Sequence, residues 1–272
     1  YNGPTSVNPT SQLYHDDFTT EVTAVFASLD YAASDNLNVG FALRYDEEKR
    51  EVDNLVPLVA DPITGAALNP GQDVDGDGVL TAIPSDSETY DELQPKISMN
   101  YAVNDETNIY ANAGIGFKSG GFNNSGAAQI ISNNLVNGPT LLEGGLVNVN
   151  SEVTIADNYE KETSTAFELG VKGTSGDLTY ELAGYYTEVE DMQFFEFFVG
   201  TFGLLRVVNN IDEVEIMGVE GSLKYDLNDE LALFGSFNYL DSEITSNSAR
   251  PSTVGNKSPY TSEYTINIGA DF

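Results

Sequence analysis

The chain of 272 residues contains no cysteine, no tryptophan and one histidine. Without Cys there are no disulfides, no thiol nucleophile and no Cys-based zinc site. With one His there is no His-rich metal centre. Any Ser-His-Asp device would hang on His15 alone, which has no recognisable partner. Positive charge is scarce: 11 Lys+Arg stand against 43 Asp+Glu, a net charge of −32. Phosphate binding is driven by Lys and Arg, so this balance excludes nucleic acid as a partner. Long hydrophobic runs are missing as well. The longest nearly apolar stretch, 197–208, is broken by Gly200, Thr201, Gly203 and Arg206. A transmembrane helix needs about 20 apolar residues, so none is present. No charged segment followed by an apolar run opens the sequence, so no signal peptide is visible. Membrane β-strands stay open, because they alternate and never look strongly hydrophobic in a window.

What is present is a period of two. Leu37, Val39, Phe41, Leu43 and Tyr45 alternate with Asn38, Gly40, Ala42 and Arg44. Leu93, Ile97, Met99, Tyr101 and Val103 alternate with Gln94, Lys96, Ser98 and Asn100. The same pattern holds at 108–118, 167–172 and 219–227. It predicts strands with one apolar and one polar face, and no segment has a sustained helical period. Four connections are short and rich in turn residues, at 33–36, 104–106, 173–176 and 226–230. Four are predicted to be long, at roughly 53–89, 120–160, 192–203 and 247–259. Short and long alternate along the chain. In an up-and-down antiparallel sheet this puts every tight turn at one end and every long loop at the other. Outer-membrane barrels have that asymmetry, with short periplasmic turns and long extracellular loops.

The polar faces carry Arg44, Lys96, Lys118, Glu168, Lys172, Glu220 and Lys224. A wet lumen inside a lipid-facing wall accounts for them, and so does a sandwich with one solvated face. Strand length and the turn asymmetry favour the barrel. Tyr31, Tyr45, Tyr101, Tyr186, Tyr225 and Tyr239 fall near strand ends, as an interfacial girdle would.

An ordered series of local patterns then resembles the barrel of TonB-dependent outer-membrane receptors. It runs from Leu37 through the Arg44-Tyr45 pair to Leu93-Gln94-Pro95-Lys96-Ile97-Ser98 and Gly116-Phe117-Lys118-Ser119-Gly120-Gly121-Phe122-Asn123. It continues through Tyr159-Glu160-Lys161-Glu162-Thr163, Tyr185-Tyr186-Thr187-Glu188, Val208-Asn209-Asn210, Gly218-Val219-Glu220-Gly221 and Tyr239-Leu240-Asp241-Ser242. The resemblance implies a barrel of about 22 strands plugged by a separate domain. It implies import of a scarce ligand: a ferric siderophore, haem, cobalamin or a glycan. Partners would be outer-membrane lipid, a small organic or metal-chelate ligand, and the energy-coupling TonB protein acting through the plug. No cofactor is required and no enzyme activity is implied. About nine strands are legible, with no plug domain, no TonB box and no terminal strands. The expectation is therefore an all-β, partial transmembrane barrel spanning 1–272, an internal fragment of a longer receptor. Alone it would expose two unpaired sheet edges.

Two local features are candidate sites. Asp73, Asp75 and Asp77, with Gly78 for a sharp turn, follow the spacing of EF-hand-like loops, and point to possible Ca²⁺ binding in the 73–81 loop. The twelfth position is Pro84 rather than Glu, so a bidentate ligand would come from Asp86 or Glu88 or be absent. The other reading is a solvated acidic loop. Phe194, Phe195, Phe197 and Phe198 form an aromatic cluster, either a contact for an organic ligand or a strand end among lipid headgroups. Gly116 to Gly121 lacks the spacing of a phosphate loop. Carboxylate pairs at Glu188/Glu190 and Asp241/Glu243 leave a glycan hydrolase as a third class. The different-class alternative to a receptor is a secreted calcium-binding β-sandwich or adhesin-like module. The acidic excess would repel a polyanionic chelate, and is read as salt adaptation and loop solvation.

Overall fold

A computed structural model describes residues 15–56, 63, 81–131, 155–200, 203–259 and 261–272. Nine long strands form one antiparallel sheet. They are β1 (Asp16–Ala32), β2 (Leu37–Asn54), β3 (Asp86–Ala102), β4 (Thr107–Lys118), β7 (Glu162–Ser175), β8 (Leu178–Gly200), β9 (Gly203–Asn228), β10 (Leu231–Ser246) and β11 (Tyr264–Asp271). Between β4 and β7 lie β5 (Gly121–Phe122), α1 (Ala127–Ile131) and β6 (Asn158–Tyr159). Strand order follows chain order from β1 to β11, with β5 and β6 paired separately. The sheet is an open sector with β1 and β11 at its edges. The other sheet among the described residues is the two-stranded β5–β6 pair, too small to make the sandwich of the alternative reading.

The tight turns are built by the residue types that predicted them. The Ser34 hydroxyl accepts bonds from the Asn36 and Leu37 amides, at 3.3 and 3.1 Å. Asn104 Oδ1 accepts the Glu106 amide and Asn228 Oδ1 the Glu230 amide, each at 2.9 Å. Gly176 turns the chain with φ +60°. All four turns lie at one end of the sheet.

Register puts the apolar rows on one face. Phe41 and Ile97 are partners, as are Ala113 and Phe167, and Leu182 and Val171. Phe41, Leu43, Ile97, Leu169 and Leu223 are all exposed. A soluble protein would not leave such a belt in water; an outer-membrane wall turns it to lipid. All six girdle tyrosines lie on this face. Tyr31, Tyr101 and Tyr225 sit near the tight turns, and Tyr45, Tyr186 and Tyr239 sit further up their strands.

The buried core is not in the membrane band. It sits at the long-loop end, in two clusters. One joins Ala127, Ile131, Phe198, Leu205 and Val207; the other joins Val189, Ile211, Val214 and Ile244. Val207 and Val214 are fully buried. A buried Val contributes about 1.5–3 kcal/mol, so these clusters hold the extracellular end together.

The loop expected at 192–203 is a correction. β8 and β9 run 23 and 26 residues and are paired up to Gly200↔Gly203. Both faces of this hairpin have apolar neighbours there, so the period of two fades although the strands continue. The 53–89 connection is likewise shorter than expected, since β2 reaches Asn54 and β3 begins at Asp86.

Candidate functional site

The long β8–β9 hairpin bends at Asp191, the one described non-glycine residue with positive φ, at 53°. Pairing is regular on both sides of it, Glu190↔Glu213 below and Met192↔Ile211 above. The packed face changes parity there. Val189 below the bend and Met192 and Phe194 above it join the same cluster with Ile211, Val214 and Ile244. One left-handed residue thus re-aims the upper hairpin, as a bulge does. Asn210 clamps the bend. Its Nδ2 donates to the Asp191 carbonyl at 2.7 Å and the Glu160 carbonyl at 3.1 Å, and its Oδ1 accepts the Glu160 amide at 2.8 Å.

A strap runs beneath the hairpin on the polar face of the sheet. Arg50 Nε donates to Ser119 Oγ at 3.1 Å, and Gln193 Nε2 donates to the Ser119 carbonyl at 2.8 Å. The buried Tyr90 donates its hydroxyl to the Tyr159 carbonyl, and its ring occupies the space a Cβ on Gly120 would need. Lys161 pairs with Glu92 at 2.8 Å. Arg50, Tyr90 and Glu92 share the face of Arg44 and Lys96, so the strap lies on the luminal side.

Asn123 donates to the Ala156 and Val208 carbonyls at 3.0 and 2.9 Å, and its Oδ1 accepts the Val208 amide at 2.7 Å. The next residue, Asn124, donates to Asp16 Oδ2 at 3.2 Å, as does the Ser125 amide at 3.0 Å. Two consecutive residues therefore tie β9 to β1, the seventh strand of the sheet to the first. Along the sheet those strands are about 29 Å apart at normal spacing, whereas the strap holds them within about 20 Å. The strap thus crosses the luminal side of the extracellular rim instead of following the wall. Asp157 accepts the Ala128 amide at 2.9 Å at the start of α1, and α1 buries Ala127 and Ile131 under the hairpin tip. Arg250 pairs with Glu196 at 2.6 Å, fastening the tip to the β10–β11 connection.

Burial dominates the electrostatics of this crown. It pushes the Asp157 carboxyl up against the hydrogen bonds that favour its ionised form. It pushes Asp191 up, with Glu160, Asp212 and Glu190 adding to the effect. It pushes Glu196 up against the opposing pull of Arg250. The Tyr90 hydroxyl is likewise raised, by burial first and Glu160 second.

The four phenylalanines do not form one site. Phe198 is buried in the cluster with Ile131, and Phe194 packs on the cluster with Ile211. Phe195 meets Phe197 edge-on at 5.6 Å, stacks on Phe194 at 6.2 Å and carries Arg206 over its ring at 4.8 Å. Phe197 and Arg206 are exposed. Arg206 was legible only as the lone cation in the apolar stretch 197–208. Asn123 and Asn210 stood out in the sequence only as members of the resembling patterns, and Asp16 not at all. Asp73, Asp75 and Asp77 lie outside the described residues. Among the described residues no three acidic or His side chains are placed to hold a metal. His15, given no role from sequence, accepts the Leu55 amide through its carbonyl at 2.7 Å.

An apolar belt between tyrosine rings, a polar inner face and a folded crown define a sector of an outer-membrane β-barrel. A family model described as TonB dependent receptor-like, β-barrel, matches residues 1–272, and the chain belongs to that family. Its place is the bacterial outer membrane. The pesticin receptor of Yersinia enterocolitica is 23% identical over 264 residues, covering 97% of this chain and 32% of that protein. The chain thus spans about a third of the length of the curated relatives it matches. Among solved structures, the ferric yersiniabactin uptake receptor FyuA from Yersinia pestis matches with TM-score 0.63 and 19% identity, over 94% of this chain and 32% of that one. The ferric citrate transporter FecA matches with TM-score 0.55 and 19% identity, over 96% and 32%. The siderophore receptor PiuA from Acinetobacter baumannii matches with TM-score 0.59 and 16% identity, over 94% and 31%. By their names these relatives are receptors and transporters, not enzymes.

Proposed function

We propose that this chain supplies part of the wall and of the extracellular crown of a receptor that imports a small ferric chelate. In this reading energy coupling comes from the TonB protein, through a plug elsewhere in the receptor. The observation that supports it most is the rim tie, Val208 to Asn123 and Asn124 to Asp16, which crosses the luminal side of the rim. Such a crown suits capture and handover of a small ligand rather than free diffusion through an open pore. The names of the relatives support iron chelates as the class. Within the crown, the exposed face of Phe197, Phe195 and Arg206 is the proposed ligand contact. A guanidinium held on a ring can bind an anionic chelate while the ring packs on its organic part. Phe194 and Phe198 anchor that face from behind.

The test is uptake of radioactive iron by cells lacking the gene and complemented with the full-length receptor. Iron would be offered as its citrate, catecholate and hydroxamate complexes. Uptake of one complex that depends on the gene and falls several-fold in Arg206→Ala supports the reading. Gene-independent uptake of all three overturns the ligand class, and unchanged uptake in Arg206→Ala and Phe197→Ala overturns the contact.

A further inference from the structure

The chain carries 43 acids against 11 bases, yet one of its cations has no counter-ion. Eight of the Lys and Arg side chains pair with a carboxylate. Lys172 and Arg206 lie over aromatic rings. Lys96 has neither kind of partner among the described residues. It is exposed on the inner face of β3, opposite Ala42 of β2 and Gly114 of β4. Its stem lies along Gly114, where a Cβ would come within 3.4 Å of it. Nearby acids on the same face are already engaged. Asp46 accepts two bonds from Arg44 at 2.6 Å and a third from Gln94, and Glu92 holds Lys161.

Arg44 is the second half of the arrangement. The Asp46 side chain is 5% exposed, whereas that of Arg44 is 49% exposed. The guanidinium is therefore fixed on the wall side and open to the lumen. Asp46 takes its Nε and Nη2 groups, which leaves the Nη1 edge for another acceptor. Arg44 faces Gln94, so Lys96 is its diagonal neighbour, about 7–8 Å away along the sheet. Phe26 of β1 stands opposite Arg44 on the same face. The pair lies below the strap, since Glu92, which holds Lys161, is about 13 Å further up β3 than Lys96.

We propose that Arg44 and Lys96 form an inner subsite for an anionic iron chelate, reached after the crown contact at Arg206. The proposal rests on the import reading above, and adds the charge class of the cargo and a second station for it. A chain of net charge −32 repels a polyanion, and two cations beside spent acids offset that repulsion at one place on the inner wall. The guanidinium edge suits a carboxylate or catecholate, and the ammonium takes a second oxygen from any direction. Phe26 offers a ring to the organic part of the chelate. A neutral chelate gains nothing from either cation.

The test uses cells lacking the gene and complemented with the full-length receptor or its variants. Radioactive iron is offered as its citrate, triscatecholate and neutral trihydroxamate complexes. Binding is read on de-energised cells and uptake on energised ones. The expected result is gene-dependent uptake of an anionic complex that Lys96→Gln cuts about five- to tenfold and Lys96→Arg restores, with binding at the crown changed less than about twofold. Unchanged uptake in both Lys96→Gln and Lys96→Glu overturns the inner subsite and leaves the import reading standing. So does gene-dependent uptake of the neutral complex alone. Absence of gene-dependent uptake for all three complexes removes the import reading and the subsite with it. A lower melting temperature of the purified, ligand-free receptor carrying Lys96→Gln also overturns the subsite, because the counter-ion of Lys96 would then belong to the folded receptor itself.

Discussion

Asn123 bonds to Val208 as a strand neighbour would, accepting its amide at 2.7 Å and donating to its carbonyl at 2.9 Å. A side-chain amide thereby completes the backbone pairing of β9 where no strand is available. Asn123 is buried, so its loss leaves both groups of Val208 without these bonds. Asn123→Ala should cost about 2–3 kcal/mol of local stability. Hydrogen exchange on the full-length receptor should speed up at 204–211 and 124–131 while the membrane strands stay protected. Asn123→Asp sets a buried carboxylate against the Ala156 and Val208 carbonyls, so it should loosen the same segments at least as much.

The bend at Asp191 makes the crown sensitive to pH. Burial, Glu160, Asp212 and Glu190 all raise its carboxyl above the ordinary value of 3.8. A carboxyl raised on folding binds more protons folded than unfolded. Its contribution to stability is fully present below the unfolded value and is lost as pH rises through the folded value. The crown should therefore tighten as pH falls from neutral into the acid window above 3.8. Exchange protection around 189–193 and 210–213, corrected for intrinsic rates, is the measurement. Asp191→Asn keeps a residue that tolerates left-handed φ and removes the charge. It should raise protection at neutral pH and flatten the pH profile.

The membrane part of this fold was legible because one physical rule governs it. Leu37 to Tyr45 and Leu93 to Val103 alternate since one side meets lipid and the other water. Ser34, Asn104, Asn228 and Gly176 marked their turns for equally local reasons. The crown obeys no such rule. Phe194 and Phe198 pack into the crown's apolar clusters while Phe195 carries Arg206 over its ring, so the stretch from 192 read as a loop although strand pairing continues to Gly200↔Gly203. The roles of Asn123 and Asn210 were not legible, because they depend on partners 85 and 50 residues away.

The glycines opposite aromatic rings predict a sharp asymmetry between neighbours. Gly218 lies under Tyr185 and against the Tyr239 carbonyl, so even a methyl group has no room. Gly218→Ala should destabilise the barrel by about 1–3 kcal/mol, the usual cost of overpacking. Gly184→Ala, one strand away, meets open space and should be tolerated. Urea titrations of the full-length receptor in lipid vesicles would compare the two. Equal midpoints would mean that Tyr185 and the Tyr239 carbonyl both give way at no cost.

Arg250 and Glu196 join the hairpin tip to the β10–β11 connection at 2.6 Å. The Glu196 carboxylate is largely buried, and burial pushes its pKa up while Arg250 pulls it back. Removing the cation leaves a buried charge without its partner, which costs more than the intact pair contributes. Arg250→Ala should therefore loosen the tip by about 2 kcal/mol, read as faster exchange at 194–198 and 247–256. Arg250→Ala with Glu196→Gln removes both charges and should recover most of the loss. If the double variant is as loose as the single one, the ion pair is not what holds the tip. The Asn247 contacts, Nδ2 to Thr253 Oγ1 at 2.8 Å and the Arg250 amide to Oδ1 at 3.0 Å, would then be the fastening to remove next.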